Sequence, residues 1–215
     1  MAALANRKSV MTLYSAPLCI YSHCARLVLH EKGIGADVIS IDPSEPPEDI
    51  MELSPYGRAP VMVDRDLVLY DSRIIMEYLD ERFPHPPLHR MDPVSRAQAR
   101  MLVHRVDRDW YSLVDEIETG GEKKAARARR QLREALTASA PIFEAKPYFM
   151  SEEFSLVDCC LAPLLWRLSA MGIDLPKRAQ AVRVYADRLF ERKSFQASLT
   201  EEEKDLANPI KLMTA

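Results

Sequence analysis

The stretch at residues 59–88, APVMVDRDLVLYDSRIIMEYLDERFPHPPL, decides how this chain is organised. Two short β-prone runs, at 61–63 and 67–70, are separated by three polar residues, and this spacing predicts a hairpin with a short turn. A helix is predicted to start at Ser72, because apolar residues then recur at the helical period until Pro84 ends it. The stretch therefore predicts two strands and a helix, followed by a proline-rich exit.

The residues before this stretch predict two more strands and two more helices. Residues 10–14 and 36–41 are predicted as strands, and a helix is predicted from about residue 22 to residue 32, with Gly33 as its C-terminal cap. A short helix is predicted at 47–53. The order strand, helix, strand, helix, strand, strand, helix is that of a thioredoxin-like α/β domain.

After residue 87 the strand signals disappear. Apolar stripes at helical spacing predict an all-α domain, whose first helix is expected to be capped by Asp92. We therefore predict an α/β domain at residues 1–84 and an all-helical domain at residues 92–215. The proline-rich residues 85–91 are predicted to form a stiff linker, because each proline restricts its own backbone and that of its neighbour.

Two helices of the predicted bundle have informative sequences. Ser155 and Asp158 form a capping box, and the helix that they open is apolar on nearly every side, so it belongs in the middle of the bundle. Another helix, from Glu122, is rich in alanine and carries a run of cations: Lys123, Lys124, Arg127, Arg129 and Arg130. Because acidic residues balance this run over the domain, we interpret it as a solvated face, with a partner-binding patch as the alternative.

The N-terminal pattern resembles the thioredoxin-like domain of glutathione S-transferases. In that family a cis-proline before the third strand and an acidic residue followed by serine at the next helix hold the glutamyl end of glutathione. The resemblance assigns these places to four residues: Ala59, Pro60, Asp71 and Ser72. A serine hydroxyl and the free N–H groups of a helix N-terminus suit a carboxylate, although an ordinary helix cap is the alternative. Whether the bond before Pro60 is cis is left open by the sequence.

Two longer segments point to one branch of this superfamily. YDSRIIMEYLDERFPHPPL at 70–88 and KPYFMSEEFSLVDCCLAPLLWRL at 146–168 resemble the signature segments of the stringent starvation protein A family. The resemblance implies a glutathione S-transferase fold in a homodimer that contacts bacterial RNA polymerase and regulates transcription in the stress response. A sigma factor or a second regulator is implied as a further partner. The resemblance implies the fold more directly than the function, because one fold hosts many activities.

The resemblance places the contact with polymerase on a short surface formed by Pro84, His85, Pro86 and Pro87. A histidine held between prolines loses little conformational entropy on binding, which suits a contact surface. The alternative is a structural role, in which the prolines only set the angle between domains. One departure from the family pattern is Asp92, where relatives often carry an aromatic residue.

Cys19 points to a different function. Glutaredoxins and omega-like transferases place a nucleophilic cysteine before the first helix, and this chain has Cys19, Ile20, Tyr21 and Ser22 there, with Arg26 where a basic residue is common. Free N–H groups and the helix dipole stabilise a thiolate at such a place. Ile20, however, replaces the proline that shapes the active-site turn. We therefore favour a non-catalytic protein, with a glutathione-dependent transferase or thiol reductase using Cys19 and glutathione as the alternative.

Composition limits the remaining classes. A chain with 47% hydrophobic and 28% charged residues and a net charge of −3 is an ordinary globular protein, with no reason to contact nucleic acid directly. No signal peptide and no apolar run near the ~20 residues that cross a bilayer are visible, so we expect a cytoplasmic protein without a membrane partner. No metal is expected, because the cysteines and nearest histidine do not match zinc spacing: Cys19, His23, Cys24, Cys159 and Cys160.

Overall fold

The computed structural model describes residues 10–89 and 92–206, which fall into two compact units. The first unit takes the chain up to Pro86 together with Ala197–Lys204, and the second begins with Pro87–Gln196. The sequence pattern places residues 197–204 in the helical domain, so their assignment to the first unit is a result of tertiary structure. Within the described residues no helix is long and apolar enough to cross a membrane.

The first unit contains a four-stranded mixed sheet. Its strands are β1 (Thr12–Ser15), β2 (Asp37–Ser40), β3 (Val61–Asp64) and β4 (Leu67–Tyr70). The spatial order is β2-β1-β3-β4. The β1 strand pairs in parallel with β2 and antiparallel with β3, and β4 pairs antiparallel with β3 as the predicted hairpin. Arg65 in the hairpin turn has a φ of 59°.

Three helices accompany the sheet: α1 (Ile20–Lys32), α2 (Glu48–Leu53) and α3 (Ser72–Arg82). Gly33 ends α1 in the left-handed conformation, with a φ of 62°, as the sequence predicts. The α1 helix is buried along nearly its whole length, and it packs against α3. The predicted order of strands and helices is confirmed, and with it the α/β fold of this unit.

A buried polar cluster ties residues 197–204 to the first unit. The Arg26 guanidinium donates to both carboxylate oxygens of Glu203, at 2.7 and 2.6 Å, and to the carbonyl oxygen of Ser198 at 2.9 Å. The ring of His23 lies 2.9 Å from the hydroxyl of Ser198. The Arg26 and Glu203 side chains are 4% and 0% exposed, so this ion pair is almost completely shielded from water.

The remaining elements within the described residues are helices, which confirms the predicted fold class. The helices are α4 (Pro93–Arg105), α5 (Ser112–Thr119), α6 (Glu122–Ala138), α7 (Ala140–Glu144), α8 (Leu156–Trp166), α9 (Gln180–Phe190), α10 (Lys193–Ser198) and α11 (Glu201–Asp205). Asp92 caps α4 as predicted, since its carboxylate accepts the N–H of Ser95 at 2.8 Å. A π-helical segment, Val106–Tyr111, joins α4 to α5. The predicted linker at 85–91 ends in residues 90–91, which lie outside the described residues.

Helix α8 forms the centre of the second unit. Residues 156–165 are all buried, and Ser155 with Asp158 forms the predicted capping box. The Asp158 carboxylate also accepts the Tyr185 hydroxyl at 2.5 Å and the N–H of Phe149 at 2.9 Å. Burial raises the pKa of Asp158, because these hydrogen bonds only partly offset the cost of removing the charge from water.

Candidate functional site

Three segments of the first unit meet at one edge of the sheet. The strand register pairs Tyr14 of β1 with Val61 of β3, and Val61 with Tyr70 of β4. The end of β1, the start of β3 and the end of β4 therefore lie side by side. Four residues of the predicted pocket lie within two positions of these strand ends, and Cys19 follows the end of β1 after a three-residue loop: Ala59, Pro60, Asp71, Ser72 and Cys19. The topology of the sheet thus brings all five to the same edge.

Cys19 immediately precedes the first residue of α1 and is half-buried. The helix starts two residues earlier than the sequence predicts, which puts the thiol at its N-terminus. The backbone holds this position, because the N–H of Cys19 donates to Ala16 at 3.2 Å and its carbonyl accepts the N–H of His23 at 3.0 Å. The thiol and Ala59 pack against one buried cluster: Tyr14, Ala16, Ile41, Ile50 and Val61. Cys19 is therefore partly exposed and also contributes to the packing of the apolar cluster.

Arg26 has a structural role. Besides Glu203 and Ser198, it donates to the hydroxyl of Ser15 at 2.5 Å, at the end of β1. The Thr200 hydroxyl donates to the carbonyl of Pro17 at 3.3 Å, two residues before Cys19. Residues near the end of the chain thus fix the loop that carries the thiol. No local sequence pattern indicates this contact, because its partners are far apart in the chain.

Asp71 caps α3 with an unusual backbone, at a φ of 74°. Its carboxylate accepts the N–H of Arg73 at 2.9 Å and pairs with the Arg73 guanidinium at 2.7 Å. Burial raises the pKa of Asp71, but the hydrogen bonds and charge of Arg73 outweigh it and leave this pKa below its ordinary value. The acidic residue of the predicted pocket is therefore an ionised helix cap, held by an arginine of its own helix.

Ser72 and Pro60 complete this edge. Ser72 is 5% exposed and is the first residue of α3, where helix N–H groups have no partner within the helix. The Ala59–Pro60 bond is cis, as the resemblance implies and the sequence left open. Nearby, Tyr56 packs edge to face on Tyr70, with ring centroids 5.8 Å apart, and stays 72% exposed. Such an edge suits an extended peptide that ends in a carboxylate.

The surface predicted to bind a partner lies at the end of α3. All four of its residues are exposed: Pro84, His85, Pro86 and Pro87. The His85–Pro86 bond is cis, which nothing in the sequence indicated. We call these four residues the proline surface.

A buried lysine, Lys32, contacts the backbone of the proline surface. Its ammonium group is completely buried and pairs with the carboxylate of Asp80. It also donates to the carbonyl oxygens of Phe83 at 2.8 Å and Pro86 at 2.5 Å. One cation therefore joins the end of α1 to the end of α3 and to the turn that follows it. Sequence reasoning missed Lys32, because a lysine in the last turn of a helix is usually exposed.

Two further features lie apart from these residues. Within residues 10–89 and 92–206, no group of three His, Cys, Asp or Glu side chains is placed to hold a metal ion. The second unit has a depression of about 940 Å³ lined by the end of α6, by α7 and by α9. It contains none of the predicted site residues.

The mixed sheet, the cis-proline edge and the all-helical second unit define a protein of the glutathione S-transferase fold. Family comparison gives the same class: Glutathione S-transferase, N-terminal domain, matches residues 13–87, and Glutathione S-transferase, C-terminal domain, matches residues 98–193. A solved theta class glutathione S-transferase from Xanthomonas axonopodis pv. citri, with glutathione bound, has a TM-score of 0.79. It is 19% identical and covers 89% of this chain and 98% of that chain, so the likeness is one of fold.

Two curated relatives are much more similar in sequence. The stringent starvation protein A homolog of Pasteurella multocida is 52% identical over 200 residues, covering 93% of this chain and 94% of the relative. The homolog of Coxiella burnetii is 50% identical over 201 residues, covering 93% and 96%. The chain belongs to the stringent starvation protein A family, and the resemblance seen at residues 70–88 and 146–168 is confirmed.

Proposed function

We propose that this protein is a transcription regulator that binds RNA polymerase through the proline surface, by protein contact and without catalysis. The observation that carries the proposal is that a buried cation, Lys32, donates to the carbonyl oxygens of Phe83 and Pro86 and so holds the turn that carries the exposed prolines. A surface that is already ordered has less conformational entropy to lose, so more of its contact energy remains as affinity.

The chemistry of the proline surface fits a protein partner. Prolines present apolar rings without rotamer freedom, and His85 between them supplies one polar ring that donates or accepts a hydrogen bond. Such a surface matches a shallow, partly apolar recess with a polar group at its centre. A sigma factor or a second regulator is part of the proposal as a further partner, as are a cytoplasmic location and a role in the stress response.

We also propose that the protein acts as a homodimer. The first unit exposes large apolar side chains that a second copy would cover: Met51, Tyr56, Leu67, Tyr70 and Ile74. Two of them, Tyr56 and Tyr70, contact each other, and exposed apolar side chains that adjoin are typical of an interaction surface. Light scattering at micromolar concentration should give about twice the chain mass of 24.5 kDa. A monomer under these conditions would refute the dimer.

The test of the polymerase contact is a triple substitution of Pro84, His85 and Pro86 by alanine. All three side chains are exposed, so the melting curve should change little, while co-purification with polymerase should be lost. A matched control replaces three exposed residues of another proline-containing loop: Pro43, Glu45 and Pro47. The control should bind polymerase like the unmodified chain. Retained binding by the first variant would place the contact elsewhere.

A second candidate function is a glutathione-dependent transferase or thiol reductase. It is favoured by the edge that gathers Cys19, the cis bond at Pro60, and Ser72 at a helix N-terminus. Glutathione should then raise the melting temperature, Ser72→Ala should abolish that increase, and Cys19→Ser should abolish turnover. The absence of any increase would remove this candidate without affecting the polymerase contact.

A further inference from the structure

The cations of α6 make this helix unlike the rest of the chain. It holds six Lys or Arg residues and two Glu residues, a net charge of +4. Because the whole chain has a charge of −3, all other residues together carry −7. The low net charge of the chain therefore hides a strongly uneven distribution of charge. Such an uneven distribution can indicate a charged binding partner even when the net charge is small.

Five of the six cations of α6 fall into two groups, and the sixth, Arg133, is half-buried. Lys124 lies 3.6 Å from a carboxylate oxygen of Glu116, and Arg129 donates to the carbonyl of Met171 at 2.9 Å, so both have partners within the unit. The second group is exposed and forms no ion pair with any residue that the structure describes: Lys123, Arg127 and Arg130. We call these three residues the cationic stripe.

The cationic stripe has a regular geometry. Its members are four and three residues apart, so they lie above one another on a single face of the helix, over about 10 Å of its axis. The buried residues of α6 point the other way: Ala125, Ala128, Leu132 and Leu136. At 100° per residue the stripe lies opposite this buried face. The three charged side chains therefore lie on the face of α6 that is turned away from the core of the second unit.

The stripe lacks what a protein interface usually needs. No exposed residue of α6 is a large apolar or aromatic side chain, and its exposed apolar residues are the alanines Ala126 and Ala138. Protein interfaces depend on a few buried aromatic or apolar anchors. A phosphate backbone instead needs only cations at regular intervals, which Lys and Arg provide without reading sequence.

We propose that the cationic stripe of α6 contacts the phosphate backbone of duplex DNA when the protein is bound to polymerase at a promoter. The inference rests on the proposed function, because polymerase supplies the DNA at high local concentration. The negative charge of the remaining chain opposes binding by the free protein. Contact is therefore expected in the complex and not with the isolated chain.

The test compares three forms of the protein in a complex with polymerase holoenzyme and a promoter duplex. The first variant carries Lys123→Gln, Arg127→Gln and Arg130→Gln. The control removes three exposed cations elsewhere, in Lys177→Gln, Arg178→Gln and Lys193→Gln, so its change in net charge is the same. Affinity of each complex for the duplex is measured from 50 to 200 mM salt, and co-purification with polymerase is measured without DNA.

Three lost phosphate contacts should lower the slope of log affinity against log salt by about 2.7. Between 50 and 200 mM salt, the unmodified complex should then lose about 40-fold more affinity than the stripe variant. The control should behave like the unmodified chain, and all three should co-purify with polymerase. Equal slopes for the stripe variant and the unmodified chain would overturn the inference and leave the proposed function standing.

Two other results are also decisive. If the stripe variant loses polymerase when no DNA is present, the stripe binds an acidic protein surface and the inference is wrong. If the unmodified chain does not bind polymerase, the proposed function fails, and the inference fails with it.

Discussion

Replacing Lys32 by methionine should destabilise the first unit and weaken binding to polymerase, although Lys32 is too deeply buried to touch a partner. Methionine keeps most of the apolar length of the side chain and removes the charge. The substitution takes the ammonium group away from three acceptors: the carboxylate of Asp80 and the carbonyl oxygens of Phe83 and Pro86.

The size of the effect follows from burial. The Lys32 and Asp80 side chains are 0% and 7% exposed, so the variant breaks an ion pair that is buried on both sides. Removing one partner of a buried ion pair costs about 3–5 kcal/mol. For a chain of 215 residues this corresponds to a decrease in melting temperature of about 6–20 °C.

The assay has two parts. Urea unfolding followed by circular dichroism gives the free energy of unfolding, and co-purification at low temperature gives the binding of polymerase by the folded variant. The double variant Lys32→Met with Asp80→Asn is the control for the charge of the Asp80 carboxylate. It should recover part of the stability, because a neutral amide replaces the buried carboxylate, but it should not recover binding, because Pro86 still lacks its donor.

A loss of less than about 1 kcal/mol for Lys32→Met would mean that the cation does not stabilise the ends of α1 and α3. Undiminished polymerase binding by the folded variant would refute the idea that Lys32 orders the proline surface.

Three further predictions concern the rest of the first unit. Glu203→Gln should cost about 3–5 kcal/mol, because Arg26 keeps its charge in the interior, whereas the exposed Glu202→Gln should change the free energy of unfolding by less than about 0.5 kcal/mol in urea titrations. The pKa of Asp71 lies below 3.8, so its charge stabilises the fold above that pH, and the stabilisation is lost as pH falls through the lowered pKa. Carboxyl NMR should show this pKa rise in Arg73→Gln. If glutathione binds with a dissociation constant of about 0.1 mM, 10 mM should raise the melting temperature by about 5–10 °C.

Local signals in the sequence correctly predicted several helices, strands and caps. The hairpin at β3 and β4, the left-handed cap at Gly33 and the capping box of Ser155 with Asp158 all depend on residues a few positions apart. Their geometry is determined by backbone conformation and by hydrogen bonds within one turn, which the residue types reveal directly. The first turn of α1 was the exception, because Ile20 and Tyr21 carry no helix-start signal.

The candidate site was predictable only in part. Cys19, Pro60 and Ser72 were identified because the resemblance to a family assigns them, and the sheet register explains how they come to one edge. The sequence identified Arg26 only as a basic residue at a place where such residues are common. Its ion pair with Glu203, far along the chain, became visible only in the structure.

The sequence by itself determined the order of strands and helices, the class of each unit and the family, because periodicity, caps and signature segments are written in neighbouring residues. Only the tertiary structure decided that Lys32 supports the turn of the proline surface, that residues 197–204 belong with the first unit, and that three cations of α6 form no ion pair with any described residue. Each of these results depends on which charged groups come close together in the folded chain. Electrostatic partners are selected by distance in space and by exclusion of water, and neither is visible in the spacing of residues along a chain.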